Sequence, residues 1–213
     1  MPNQANRIAT YDENCPLGMD FIETDVQLTA DGGLIYLHDE TFWGQPVAEQ
    51  TVAEIKERDE TVITMQESYE WAQTRRVLFM QDFKGSSDVI PVAVAVTREA
   101  GMIDRVVFFG STAELELVTQ ADPQAWKMLR VGSPEEARLA AEDPDPYLIA
   151  LHGDPDWTDS ALVADLHALG KRYLVNIMTS GPICSDMFAA GVDLVQTNFV
   201  EFCADVLDDY LPP

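Results

Sequence analysis

The feature that most constrains this chain is the recurrence of short apolar runs separated by helical patterns. The runs Asp20–Leu28, Leu34–His38, Val77–Phe83, Val106–Phe109, Trp126–Val131, Tyr147–His152, Tyr173–Ile177 and Leu194–Thr197 all have strand length, with polar or glycine-containing segments between them. Helical patterns fill most of the gaps: Val89–Ala100, Pro134–Ala141 with proline at the helix start, Ser160–Leu169 ending at Gly170, and Val200–Tyr210. Alternation of this kind, sustained through the second half, predicts parallel βα units.

The segment Thr29–Gly33 breaks the pattern, because Asp31-Gly32 at its centre is a strong hairpin signal. With that pair central, His38 faces Asp25 and Glu40 faces Glu23; a one-residue slip keeps His38 beside the same acids. Setting Leu34–His38 aside as the returning arm leaves seven parallel strands, and a stub around Ala5–Ile8 makes an eighth. Eight such units form a TIM-type (β/α)8 barrel. The chain has 213 residues, against about 250 for such barrels. The shortfall is expected in the first strand and the first helix, both truncated, with a β-hairpin after strand 2. One domain over residues 1–213 is expected, with no linker or internal repeat.

Composition narrows the partners. The chain carries 37 Asp and Glu against 13 Lys and Arg, a formal net charge of -24. Nucleic acid is therefore not an expected partner, since phosphate backbones are bound through clustered cations. No apolar run approaches the roughly 18 residues of a membrane span, and no signal-peptide pattern stands at the start of this sequence. Three widely spaced cysteines, Cys15, Cys184 and Cys203, read as reduced and mostly buried thiols rather than a disulfide framework or a zinc cluster.

In a barrel of this type, chemistry gathers at the C-terminal strand ends. Those ends supply Glu23 and Asp25, Asp82 and Lys84, Ser111, Arg130, His152, Asn176, Thr197 and Asn198. Glu23 and Asp25 are two apart and so project from one strand face; Asp82 and Lys84 repeat the arrangement on the next parallel strand. Three carboxylates converging on one mouth repel unless a proton or a cation lies between them, and hard oxygen donors suit Ca²⁺ or Mg²⁺. Solvated surface acids are the plain alternative, but Glu23 and Asp25 interrupt the otherwise apolar Phe21–Val26, where an unpaired charge would be costly. His38, at the end of the hairpin arm, is a candidate acid or base because imidazole ionises near neutrality. His152 ends another strand and is a second candidate for the site. No Gly-x-Gly-x-x-Gly, Walker loop or Gly-x-Ser-x-Gly is present.

The segment Ile22–Thr41, Ile-Glu-Thr-Asp-Val-Gln-Leu-Thr-Ala-Asp-Gly-Gly-Leu-Ile-Tyr-Leu-His-Asp-Glu-Thr, resembles the signature of the glycerophosphodiester phosphodiesterase family. Gln81-Asp-Phe-Lys84 is similar to the family's acid-x-Lys strand motif, Gly191–Asn198 to its closing segment, and Arg7 with Glu13-Asn14 to its opening one. The resemblance implies a phospholipase-C-like barrel. In it, Glu23, Asp25 and Asp82 would bind a divalent cation (Ca²⁺ or Mg²⁺), Arg7 and Lys84 would hold the phosphate, and His38 would move protons; His152 is a substrate-binding candidate from its strand-end position alone. The implied activity is metal-dependent hydrolysis of glycerophosphodiesters or similar small phosphodiesters to an alcohol and a phosphomonoester. This chain departs from the pattern where the family's first catalytic histidine is expected, which is Asn6 here; Asn donates a hydrogen bond but moves no proton. The alternative implied by Asn6 is a family member that binds phosphodiesters or metal without turnover.

Overall fold

The structure is a computed structural model that describes residues 6–177 and 182–207. The chain divides into two compact units, Met1–Trp126 and Lys127–Pro213.

In the first unit, α1 (Ile8–Asn14) and a 3₁₀ turn lead into β1 (Phe21–Leu28) and β2 (Leu34–Tyr36). A small hairpin follows, β3 (Thr41–Phe42) with β4 (Gln45–Pro46), then α2 (Val52–Arg58) and α3 (Met65–Ala72). Next come β5 (Leu78–Phe83), α4 (Val89–Glu99), β6 (Val106–Gly110) and α5 (Thr112–Ala121). Its sheet runs in the order β2-β1-β5-β6, with β1 parallel to β5 and β5 parallel to β6. Three helices start on the same local code. Thr51 with Glu54, Thr64 with Glu67 and Ser111 with Glu114 each form a reciprocal capping box, which satisfies backbone N–H groups left over at a helix start.

Two expectations change here. Ala5 lies outside the described residues, and Asn6 and Arg7 bend into a helix that begins at Ile8, so Ile8 is not part of a strand stub. The first helix is truncated, as expected, to seven residues. A helix so short is marginal alone; it is held because Tyr11 packs on Trp71 with ring centroids 5.4 Å apart, and Asp12 accepts from Trp71 Nε1 and Arg75. The hairpin is also one residue out of the expected register. Val26 pairs with Tyr36 and Leu28 with Leu34, because the turn closes on Ala30, Asp31 and Gly32, with Gly32 at φ +80° and Thr29 N–H bonded to the Gly33 carbonyl. Leu37 N–H therefore donates to the Asp25 carbonyl, and His38 lies one position beyond the pairing with Asp25 that was expected.

The second unit repeats strand and helix: β7 (Trp126–Val131, starting at the boundary), α6 (Pro134–Ala141), β8 (Leu148–Leu151), α7 (Ser160–Ala168), β9 (Arg172–Ile177), α8 (Ile183–Ala190), β10 (Leu194–Thr197) and α9 (Val200–Leu207). Strands β7 to β10 pair in sequence order, all parallel, as short βα crossovers require. Ile149, Leu151, Val175 and Ile177 bury one apolar core with Leu162, Leu166 and Met187 from the helices. Cys184 and Cys203 join that core as a disulfide between α8 and α9, which corrects the expectation of free thiols. Their Cα atoms are 5.5 Å apart, within bridging range, although nineteen residues of separation give no sequence signal of it. Among the described residues, Cys15 is the free cysteine. No helix of the described residues is long and apolar enough to cross a membrane.

Candidate metal and phosphate site

The parallel pairing of β1 with β5 sets Asp25 directly beside Asp82, and the strand period puts Glu23 on the same face. Glu23, Asp25 and Asp82 each bring a carboxylate oxygen to within 4.8 Å of the other two. Asp25 and Asp82 are buried and Glu23 is half-buried. Lys84 follows β5, its backbone N–H donating to the Val26 carbonyl, and its ammonium reaches Asp82 Oδ2 at 2.7 Å and Asp25 Oδ1 at 3.2 Å. Burial alone would lower the Lys84 pKa, but the hydrogen bond and charge of Asp82, with those of Asp25, outweigh it and raise the value above the ordinary lysine range. Lys84 is thus an ammonium at neutral pH. Three carboxylates and one ammonium still leave the cluster net negative in a setting where unbalanced charge is costly. An all-oxygen donor set of this kind fits a hard divalent cation.

Asn6 closes the cluster from the N-terminal side. Its Nδ2 donates to Asp25 Oδ2 at 3.0 Å, and its Oδ1 accepts from the Tyr11 hydroxyl at 3.3 Å. Tyr11 is held in its neutral form, first by burial and then by Tyr36, Glu23 and Asp25 nearby, against a smaller opposing influence of Arg7. Arg7 is buried and braced: Nε donates to Thr61, Nη1 to the Asn6 carbonyl and Nη2 to Asp59 at 3.1 Å. Burial pushes Asp59 up, but the Thr61 hydrogen bonds and Arg7 together hold it below the usual carboxylate range.

His38 is exposed, with Nδ1 2.8 Å from Asp39 Oδ1. The backbone on either side of it is pinned by one side chain, since Gln27 Nε2 donates to the Leu37 and Asp39 carbonyls at 2.6 and 2.8 Å. On the opposite face of the same strands, Tyr36, Ser68, Gln81, Tyr69 and Thr97 form a buried hydrogen-bonded chain. That chain fixes the strand pair from behind.

The first unit therefore brings together Asn6, Glu23, Asp25, Asp82 and Lys84, with Arg7 bonded to the Asn6 backbone. Other strand-end candidates have local roles: Ser111 caps α5, Asn176 donates to Gln196, and Thr197 Oγ1 accepts from Phe199 N–H. His152, in the second unit, follows β8, is exposed, and bonds through its backbone N–H to the Val131 carbonyl. Sequence reasoning missed Tyr11, Gln27, Asp59 and Thr61. The turn at Asp59-Glu-Thr61 is locally legible, because Asp59 Oδ1 accepts from Thr61 N–H, but nothing in the spacing pairs it with Arg7.

Residues 3–106 match the model of the Glycerophosphoryl diester phosphodiesterase family. The fold of the whole chain is shared with solved structures. A glycerophosphodiester phosphodiesterase from Agrobacterium tumefaciens superposes at TM-score 0.81 and 20% identity, over 94% of this chain and 93% of its own. One from Thermotoga maritima superposes at 0.78 and 19%, over 94% and 91%. An Oleispira antarctica phosphodiesterase in complex with the product sn-glycerol-3-phosphate superposes at 0.77 and 17%, over 95% and 91%. None of the curated proteins matches the chain in sequence. The family match thus covers residues 3–106, and the fold is the one those solved phosphodiesterases share.

Proposed function

We propose that this protein hydrolyses glycerophosphodiesters or similar small phosphodiesters in a metal-dependent reaction. The carrying observation is the convergence of Glu23, Asp25 and Asp82 on one point with Lys84 against two of them. Glu23, Asp25 and Asp82 would hold Ca²⁺ or Mg²⁺, which would supply positive charge beside the phosphate oxygens. Lys84 and Arg7 add cationic charge beside the same anion, and the bracing of Arg7 by Asp59 and Thr61 favours a fixed orientation for it. Water adds its oxygen to phosphorus and the ester P–O bond breaks. His38 delivers a proton to the departing alkoxide and the attacking water releases one to solvent, giving an alcohol and a phosphomonoester. Asp39 at Nδ1 and Gln27 on the flanking carbonyls support that role by orienting the imidazole.

Asn6 favours a second reading, a protein that binds the diester or the cation without turnover, because its amide donates to Asp25 and transfers no proton. Phosphorus NMR of glycerophosphocholine incubated with the protein and Ca²⁺ or Mg²⁺ separates the two. A phosphomonoester that forms with the cation and not with chelator supports hydrolysis. Calorimetric diester binding with no product supports the binding role. Turnover indifferent to both chelator and Asp25→Ala overturns the metal-dependent mechanism.

A further inference from the structure

Position 6 and Tyr11 form a unit whose target is a carboxylate of the cluster. Asn6 is buried, and its amide is polarised at both ends: the Tyr11 hydroxyl donates to Oδ1, while Nδ2 donates to Asp25 Oδ2. An asparagine side chain presents a donor and an acceptor that differ little in shape, so a partner must decide which points where. The acceptor-only Asp25 carboxylate takes Nδ2, and the Tyr11 hydroxyl, by donating to Oδ1, holds the amide in that orientation. The other Asp25 oxygen, Oδ1, is 3.2 Å from Lys84. Asp25 is thereby held at both oxygens, and the Tyr11 ring is fixed against Trp71.

We infer that Tyr11 is a positioning residue for cation binding, acting through Asn6 to fix the Asp25 carboxylate. The inference rests on the cation reading above. Groups that orient metal-ligating carboxylates are worth tenfold to a hundredfold in metal affinity as an order of magnitude. Position 6 in this chain accordingly orients a ligand instead of moving a proton. The seven-residue helix α1 has a defined purpose on this account: it carries Tyr11 to where its hydroxyl reaches Asn6.

The test is calorimetric titration of Ca²⁺, and separately Mg²⁺, into the full chain without substrate. It compares wild type, Tyr11→Phe, Asn6→Ala and the double variant, with the melting temperature of each recorded. Tyr11→Phe keeps the ring on Trp71 and removes only the hydroxyl. The expected result is a roughly tenfold to hundredfold weaker cation in each single variant, with the double variant no weaker than Asn6→Ala alone, because both act through one bond chain. A merely structural role would lower the melting temperature and leave affinity unchanged in the folded protein. The inference is overturned if Tyr11→Phe binds the cation as wild type does, or if the two losses add in full. Wild type that takes up no cation overturns the metal reading itself, a result distinct from wild-type binding that survives Tyr11→Phe.

Discussion

In the first unit, β1 and β5 place Glu23, Asp25 and Asp82 on one strand face and follow them with Lys84. In the second, β8 and β9 bury Ile149, Leu151, Val175 and Ile177, and the strand-end side chains of Asn176 and Thr197 bond to Gln196 and Phe199 nearby. The two units share the alternation of strand and helix but differ in what their strands bury. A protein keeps like charges side by side in a sheet only where something gains from them. An apolar strand set asks for nothing beyond good packing. The contrast also follows the sequence, since the family match ends at residue 106.

The largest effect that tests this contrast is catalytic. Asp25→Ala is expected to lower turnover of glycerophosphocholine about a thousandfold, the scale of several kcal/mol of charge stabilisation. His152→Ala, in the second unit, is expected to leave kcat little changed, and steady-state kinetics of both variants reads the difference. A kcat loss for His152→Ala as large as that for Asp25→Ala would break the contrast. Next in size is stability: Ile149→Ala empties a fully buried site and is expected to cost about 2–5 kcal/mol in urea unfolding, with activity per folded molecule retained.

Ser111→Ala sharpens the comparison inside the first unit. Ser111 is a strand-end residue by sequence but a helix cap in the structure, so about 1 kcal/mol of stability should be lost with kcat unchanged. The smallest effect is a pH dependence. Asp59 has a lowered pKa in the folded state. Its contribution to stability is therefore complete above the ordinary Asp value near about 4 and is lost as pH falls through the lower folded value. Asp59→Asn should flatten the acid limb of melting temperature against pH. An unchanged acid limb would mean the Arg7 brace adds nothing to stability.

Much of the fold was legible because its signals are local. Strand runs, the Pro134 helix start and the hairpin turn are each set within a few residues, and the two-residue period alone put Glu23 beside Asp25 on one face. Their convergence with Asp82 and Lys84 followed once β1 and β5 were taken as parallel neighbours. What escaped was non-local or decided by one residue. The hairpin register turned on which residue of Ala30-Asp31-Gly32 closes the loop. The contacts Tyr11 to Asn6 and Arg7 to Asp59 depend on how a short helix docks through Trp71, which periodicity does not encode. The Cys184–Cys203 bridge joins two helices that meet only in the packed core.

The central claim is that the carboxylates of β1 and β5 hold a divalent cation on which hydrolysis depends. Phosphorus NMR of glycerophosphocholine turnover, run with Ca²⁺ or Mg²⁺ and then with chelator for wild type and Asp25→Ala, tests it most directly. The account predicts a phosphomonoester only from wild type with the cation present; equal product in chelator, or from Asp25→Ala, would contradict it.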